Sequence, residues 1–293
     1  TSSLIRNYLG FPRGLSGENF TNRAVEQAWL FGANLVSQQV TGLGVRGPGR
    51  FLRLSDGSRI AARTVIIATG VTWRRLDVPG LEALRGAGVY YGAAGAEAPA
   101  MEGGDVFVVG AGNSAGQAAV HLARYARSVT LLVRGDALAT SMSDYLVREL
   151  GAIPNVAVRL RTEVAGVQGR GRLERITLRD GRDGAARTVP AAGLFVMIGG
   201  QPRTAWLAGS VQRDRQGYVL TGRDVVRDGA PPAGWPLERA PWLMETSVPG
   251  VFAVGDVRAG SVKRVASAAG AGAIAVQLVH EYLSGEPGGS RRR

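Results

Sequence analysis

Cysteine is absent from the 293-residue chain, and histidine occurs only twice, at His121 and His280. Without thiols the chain cannot form disulfides, bind a metal through thiolates or carry out dithiol chemistry. Two isolated histidines do not provide a metal cluster, and we expect both of them to lie on helices. The lack of cysteine therefore excludes disulfide, dithiol and thiolate–metal chemistry by this chain.

Lysine and aromatic residues are also scarce. Lys263 is the only lysine, so the formal net charge of +12 comes almost entirely from arginine, and aromatic residues make up 6% of the chain. The arginines are scattered, whereas a nucleic-acid-binding surface needs clustered basic residues with aromatic residues between them. The sequence therefore argues against nucleic acid binding. We interpret the closing Arg291-Arg292-Arg293 as a solvated tail.

Long hydrophobic runs are missing as well. No apolar run reaches the roughly 18 residues that a membrane span requires, and the start Thr1-Ser2-Ser3-Leu4 lacks the pattern of a secretion signal. The length and the 45% apolar content are typical of a globular protein with two domains. We expect no membrane partner and a cytoplasmic location.

The clearest motif is a glycine-rich turn between a predicted strand at residues 106–109 and a predicted helix at 114–126. The turn reads Gly110-Ala111-Gly112-Asn113-Ser114-Ala115. Glycine permits a tight turn, a second glycine lets a pyrophosphate approach the amides, and a small third residue lets the helix pack against the strand. The helix N-terminus offers N–H groups and a partial positive charge to phosphate. With a second strand at 129–133, the pattern predicts a dinucleotide-binding βαβ unit.

Arg134 follows the second strand, where a residue that contacts the ribose is expected. An acidic residue there usually accepts a hydrogen bond from a ribose hydroxyl of NADH, whereas arginine complements a 2′-phosphate. Arg134 therefore favours NADPH over NADH, although Asp136 lies close by. A surface arginine that merely ends a strand is the alternative interpretation.

Two further segments have the pattern of a buried strand that ends in a turn. Residues 64–70 follow a predicted hairpin at 51–62, and residues 246–256 end in Gly255-Asp256 before a predicted helix at 266–283. Asp256 could accept a hydrogen bond from a ribitol hydroxyl, and the helix beginning near 263–266 would direct its amides towards a flavin ring. A capped strand-to-helix turn without a ligand is the alternative.

The order of these segments resembles that of the low-molecular-weight thioredoxin reductases, within the FAD/NAD(P) disulfide oxidoreductases. The resemblance covers nearly the whole chain, and the matching landmarks are Asn7-Tyr8-Leu9-Gly10-Phe11-Pro12, Ala68-Thr69-Gly70, residues 110–115, Ile198-Gly199 and residues 246–256. It implies an α/β fold of two Rossmann-like, three-layer ββα nucleotide-binding domains. An NAD(P)H-binding domain at 83–200 is inserted into an incomplete FAD-binding domain at 1–82 and 201–293.

The resemblance also implies FAD and NADPH as cofactors. No catalytic acid or base and no metal ligand is assigned. The predicted cofactor-binding residues are Asn7, Thr69, Gly70, Gly110, Gly112, Asn113, Ser114, Ala115, Arg134, Ile198, Gly199, Gly255, Asp256, Arg264, Val265 and Ala266.

The chain departs from the family pattern in two places. The family's N-terminal strand, glycine-rich turn and helix, which hold the FAD pyrophosphate, have no counterpart before Asn7. We therefore expect a piece of a longer protein with an exposed apolar edge. The family's Cys-x-x-Cys pair aligns with Gly92-Ala93-Ala94-Gly95, so electrons cannot pass through a dithiol of this chain. Residues 133–149 and 263–266 are more similar to family members with an appended cyclic-nucleotide-binding domain, which is not visible here.

The predicted function is hydride transfer from NADPH to FAD, followed by electron transfer to an unidentified acceptor. A quinone, oxygen, a ferredoxin or the disulfide of another protein could take that role. A ferredoxin–NADP reductase of the same fold is the nearest enzymatic alternative, since that branch also lacks the dithiol. A non-catalytic, nucleotide-sensing module is the alternative from a different class. Family members are often homodimers, which the resemblance extends to this protein.

Overall fold

The structure is a computed structural model that describes residue 5 and residues 8–47, 49–92 and 97–285. The chain forms two compact units, which we call the outer unit (Thr1–Thr72 with Gln201–Arg293) and the inserted unit (Trp73–Gly200). Residues 73–82 thus belong to the inserted unit, whereas the sequence analysis assigned them to the flanking domain. The physical reason is that Leu76, Val78 and Leu81 pack into the hydrophobic core of the inserted unit.

The helices and strands follow one another in this order: α1 Gly17–Leu30, β1 Val40–Arg46, β2 Gly49–Leu54, β3 Arg59–Ala62, β4 Val65–Ile67, β5 Val71–Trp73, β6 Val89–Tyr91, β7 Asp105–Val109, α2 Asn113–Leu122, β8 Ser128–Val133, α3 Asp144–Ala152, β9 Val156–Leu160, β10 Thr162–Gln168, β11 Arg175–Asp180, β12 Ala186–Pro190, β13 Gly193–Val196, β14 Gly200–Pro202, β15 Val251–Ala253 and α4 Val265–Gly285.

The inserted unit has three layers built on a parallel five-stranded sheet of order β6-β13-β7-β8-β9. Helices α2 and α3 pack on one face through residues such as Leu122 and Leu146. The antiparallel sheet β10-β11-β12 covers the other face, where Ile176 and Leu178 meet Phe107. The central strands are buried on both faces, which explains their nearly continuous apolar sequence. The predicted ββα layering is confirmed.

The outer unit combines an antiparallel sheet, β1-β2-β3, with the parallel pair β4 and β15. The predicted hairpin at 51–62 is confirmed as β2 and β3, and the predicted strand at 64–70 as β4. The predicted helix at 266–283 is confirmed as α4, which carries His280, while His121 lies on α2. The compact core lies around β4 and β15, where Ile67 and Phe252 are almost completely buried.

A long loop at residues 226–243 is held to the outer unit by one buried carboxylate. Glu245 is 0% exposed and receives Arg239 Nη1 at 2.6 Å and Nη2 at 3.1 Å. It also accepts the backbone N–H groups of Trp242 at 3.1 Å and Gly250 at 2.9 Å. The Arg239 guanidinium carbon lies 3.5 Å from the centre of the Trp242 ring. The Glu245 carboxylate therefore holds Arg239 and the backbone of Trp242 in place, and with them this loop.

Helix α1 leaves a group of large apolar side chains in solvent. None of its residues is buried, and Trp29, Leu30 and Phe31 are 70%, 81% and 82% exposed. None of the helices in the described part of the chain combines the length and the apolar character that a membrane span requires.

Candidate nucleotide-binding sites

The glycine-rich turn of the inserted unit requires glycine at its first position. Gly110 follows β7 directly and has a φ of 145°. A Cβ atom there would lie 2.6 Å from the Met197 carbonyl oxygen and 3.0 Å from the Ala115 Cβ. Because Met197 follows β13 and Ala115 lies in the first turn of α2, any larger residue would push strand and helix apart.

Gly112 is different, because no neighbouring protein atom requires glycine there. It precedes α2 with an extended backbone (φ −89°, ψ 175°) and no side-chain cap. A Cβ atom at Gly112 would meet nothing nearer than the Ser141 carbonyl oxygen at 3.8 Å. The Ala115 N–H donates to the Gly112 carbonyl at 3.0 Å. The N–H groups of Asn113 and Ser114, which have no such partner within the described residues, therefore remain open to an anion, which fits a pyrophosphate.

The turn lies where the order of strands in the parallel sheet reverses direction. The chain leaves β7 through α2 to reach β8 on one side, while β13 pairs with β7 on the other side. Crevices at such points, outside the carboxyl ends of the strands, are the usual ligand sites of this architecture. Ile198 and Gly199 follow β13 at the same edge, and Gly199 has a φ of 86°.

The loop between β8 and α3 is tied to this turn by three hydrogen bonds. Asn113 Nδ2 donates to Ser143 Oγ at 2.9 Å, and its Oδ1 accepts the Ser143 N–H at 2.8 Å. Ser141 Oγ donates to the Ala111 carbonyl at 2.9 Å. The side chain of Asn113 is thus committed to positioning the loop, so a contact of Asn113 with a ligand would come from its backbone amide.

Two arginines stand at the carboxyl ends of β8 and β9. Val133 pairs with Leu160, so the chain leaves the sheet there close to both Arg134 and Arg161. Arg161 forms an ion pair with Asp136. Arg134 is exposed, and within the described residues it has no hydrogen bond or ion pair. Asp136 is therefore paired with Arg161 and does not neutralise Arg134. The guanidinium of Arg134 can bind an anionic ligand.

The outer unit brings its predicted residues together at the carboxyl edge of β4 and β15. Ile67 pairs with Ala253, so Thr69, Gly70, Gly255 and Asp256 follow neighbouring strand ends. Thr69 Oγ1 donates to the Arg203 carbonyl at 3.0 Å, and the Arg203 N–H donates to the Gly70 carbonyl at 3.3 Å.

Helix α4 packs closely against this edge. Gly255 has a φ of 68°, and a Cβ atom there would come within 3.3 Å of the Ala268 Cβ. The helix begins at Val265, and the Arg264 carbonyl accepts its first hydrogen bond, from Ala268 N–H at 3.0 Å. The amides of Val265 and Ala266 therefore belong to the open first turn, which fits a ligand with acceptor groups.

Asp256 and Lys263 carry opposite charges, and each affects the pKa of the other. Burial raises the pKa of Asp256, and the charge of Lys263 opposes that rise. Burial lowers the pKa of Lys263, while Asp256 raises it again. The sequence analysis placed Lys263 near the start of this helix, but it did not predict the effect of the Lys263 charge on Asp256.

Two parts of the predicted site lie outside the described residues. Asn7 is one of them, and residues 93–95 of the segment aligned with the family's Cys-x-x-Cys pair are the other. In the described part of the chain, no group of His, Asp and Glu side chains could hold a metal ion.

Two Rossmann-like units with open glycine turns define a two-nucleotide oxidoreductase fold. The chain belongs to the pyridine nucleotide-disulphide oxidoreductase family, whose sequence pattern matches residues 4–272. It is similar to a thioredoxin reductase of Streptomyces clavuligerus, with 31% identity over 280 residues, 96% of this chain and 80% of that relative. The predicted resemblance to thioredoxin reductases is thus confirmed, and that family uses FAD and NADPH.

A second relative and a solved structure are also thioredoxin reductases. NADPH-dependent thioredoxin reductase 3 of Arabidopsis thaliana is 34% identical over 289 residues, which are 97% of this chain but 50% of that relative. The chain thus spans half the length of that relative. The crystal structure of a thioredoxin reductase from Streptococcus pyogenes MGAS5005 superimposes with a TM-score of 0.82 and 28% identity, over 97% of this chain and 86% of that one.

Proposed function

We propose that the protein is an NADPH-dependent flavin oxidoreductase that passes electrons to an acceptor without using a dithiol of its own. In this proposal the inserted unit binds NADPH and the outer unit binds FAD. The observation that carries the proposal is the open N-terminus of α2 at Gly112, together with Arg134 at the end of the neighbouring strand, which has no ion pair in the part of the chain that the structure describes.

In this proposal, different residues of the inserted unit bind different parts of NADPH. The amides that follow Gly112 would bind the pyrophosphate, and Gly110 keeps the turn close to β13. Arg134 would bind the 2′-phosphate, because a guanidinium pairs well with phosphate oxygens and Asp136 is engaged with Arg161. Ile198 and Gly199 border the same crevice and would contact the nicotinamide half.

The residues of the outer unit would hold and orient FAD. The Asp256 carboxylate would accept a hydrogen bond from the ribitol chain, and the first-turn amides of Val265 and Ala266 would face the flavin ring. Thr69 and Gly70 border the same edge. When both cofactors are bound, NADPH supplies a hydride and FAD accepts it, while the protein contributes position, charge and exclusion of water.

Because this chain has no cysteine, electrons would pass from the reduced flavin to an acceptor without a dithiol of the chain. A thioredoxin reductase that uses a dithiol needs two thiols of its own, and this chain has none. We propose a quinone, oxygen, a ferredoxin or the disulfide of a partner protein as the acceptor. A ferredoxin–NADP reductase remains the nearest enzymatic alternative because it needs no dithiol. A homodimer and a cytoplasmic location also remain predictions.

The test is the absorption spectrum of the purified protein, recorded under anaerobic conditions before and after addition of NADPH. We expect flavin bands that bleach on addition, and NADPH consumption that resumes when an artificial acceptor is supplied. Flavin bands that persist in the presence of NADPH would favour the nucleotide-sensing alternative. A protein that neither contains flavin nor binds added FAD would refute the proposal.

A further inference from the structure

Arg161 is the single residue between two strands of the inserted unit. Strand β9 ends at Leu160 and β10 begins at Thr162. The backbone of Arg161 has a φ of 51°, and within the described residues Asp228 is the one other non-glycine residue with a positive φ. This left-handed conformation is uncommon for a residue with a Cβ atom, and it persists where the surrounding structure holds it in place.

Backbone hydrogen bonds hold Arg161 on both sides. Its N–H donates to the Gly135 carbonyl at 3.1 Å, and its carbonyl accepts the Gly181 N–H at 2.6 Å. A Cβ atom at Gly181 would lie 3.0 Å from that carbonyl oxygen, so the turn after β11 lies directly against Arg161. The main chain of Arg161 is therefore fixed next to the loop that follows β8.

The side chain of Arg161 forms an ion pair with Asp136 of that loop, between Nε and Oδ1. The two side chains are 49% and 71% exposed. An ion pair exposed to this degree adds little to the stability of a fold. Its main consequence is therefore the charge that it leaves beside Arg134, which only Gly135 separates from Asp136.

An Asp136 carboxylate without this partner would oppose the binding of NADPH. It would either pair with the guanidinium of Arg134 or repel a 2′-phosphate bound there. The same carboxylate could accept a hydrogen bond from a ribose hydroxyl, as acidic residues after the second strand do in NADH sites. The pairing of Asp136 thus bears on the preference between the two cofactors.

We infer that Arg161 is a specificity-determining residue of the inserted unit, which favours NADPH over NADH by holding Asp136 in an ion pair. The inference rests on the proposed function and extends it to a residue outside the predicted site. Arg161 is a positioning residue, because it acts through Asp136 and needs no contact with the cofactor. The 2′-phosphate then meets Arg134 without a competing carboxylate.

The test variant is Arg161→Asn, because asparagine tolerates the left-handed conformation and carries no charge. Isothermal titration with NADPH and with NADH, at low ionic strength, measures both dissociation constants. We expect NADPH binding to weaken by roughly threefold to tenfold, the effect of one unit charge a few ångströms away near a protein surface. NADH binding should not weaken, so the preference for NADPH should decrease.

A second substitution distinguishes positioning from direct contact. In Arg161→Asn combined with Asp136→Asn the carboxylate is gone, so we expect NADPH affinity to return to within about twofold of the wild type. Arg161→Lys retains the positive charge and should retain most of the NADPH preference. A double variant that binds NADPH as weakly as Arg161→Asn would overturn the inference, because Arg161 would then act without Asp136.

A charge-matched control separates this effect from net charge. Arg187→Asn removes one positive charge from exposed strand β12 of the same unit and should leave both affinities unchanged. An equal loss of NADPH affinity in this control would contradict the inference. If the wild type and Arg161→Asn show the same preference for NADPH, the inference is wrong and the proposed function stands. If the wild type binds neither nucleotide, the proposed function fails and the inference fails with it.

Discussion

At the scale of single residues, Gly112 offers a clean test of NADPH binding. Because a side chain there meets only the Ser141 carbonyl at 3.8 Å, Gly112→Asp should fold normally. Its carboxylate would repel a pyrophosphate and fill the space in front of α2, so we expect NADPH affinity to fall by roughly tenfold or more. Titration of protein fluorescence with NADPH measures this, and circular dichroism checks the fold.

Two variants of the same unit complete the comparison. Gly151→Asp adds a carboxylate where no atom lies within 4 Å and should leave NADPH binding unchanged. Gly110→Ala should instead destabilise the protein, by roughly 2–4 kcal/mol, because its Cβ would collide with a carbonyl oxygen. Wild-type NADPH affinity in Gly112→Asp would mean that the turn does not hold the nucleotide.

We predict that Arg134 discriminates between NADPH and NADH. Because Arg134 follows β8 and has no ion pair within the described residues, Arg134→Ala should weaken NADPH binding by roughly tenfold to a hundredfold, the usual cost of losing a charged hydrogen bond. NADH affinity should stay within about twofold, since NADH has no 2′-phosphate. Isothermal titration with both cofactors measures the ratio, with Arg187→Ala on exposed β12 as the control. Equal losses for both cofactors would assign Arg134 a structural role.

At the scale of secondary-structure elements, Asp105 joins the starts of β7 and β8. It forms an ion pair with Arg127 and accepts Ser128 Oγ at 2.7 Å, and the Arg127 contact lowers its pKa below 3.8. A carboxyl group whose pKa is lower in the folded state stabilises the protein above the unfolded pKa, and this contribution disappears as pH falls below 3.8.

Asp105→Asn should therefore lower the free energy of unfolding by about 1 kcal/mol at pH 7. The difference from the wild type should shrink as the pH is taken below 3.8. Urea denaturation across this pH range measures it, and Asp77→Asn, an exposed position of the same unit, should have no effect. A difference that is constant with pH would show that the charge of Asp105 is not the cause.

Much of the local structure could be predicted from the sequence, because it depends on short-range patterns. The strand at 106–109 and the turn at Gly110 followed from an apolar run and the steric freedom of glycine. The boundary of the inserted unit at Trp73 did not, because it depends on where Leu76 and Leu81 pack. The pairing of Asp136 with Arg161 was also hidden, since it joins two strands across 25 residues of sequence.

At the scale of the whole molecule, the lack of cysteine predicts redox chemistry that is insensitive to thiol reagents. NADPH oxidation with an artificial acceptor should be unchanged after treatment with N-ethylmaleimide, and the protein should not reduce thioredoxin. Inhibition by the reagent would point to a contaminating thiol enzyme.

Restoring two cysteines should not restore a dithiol enzyme. In Gly92→Cys combined with Gly95→Cys, residue 92 would have to adopt a φ of 88°, which favours glycine. We expect this variant to lack thioredoxin reductase activity in an insulin-reduction assay, and measurable activity would contradict this account of residue 92.

The arginine stacked on Trp242 makes the long loop of the outer unit an optical reporter. A guanidinium 3.5 Å from the ring centre and a fully buried carboxylate give this indole surroundings unlike those of Trp29, which is 70% exposed. The chain has five tryptophans, so the emission of Trp242 has to be obtained as the difference between the wild type and Trp242→Phe. A change in that difference would signal detachment of the loop at residues 226–243. Trp242 can therefore serve as an intrinsic fluorescent probe of this loop, without an attached dye.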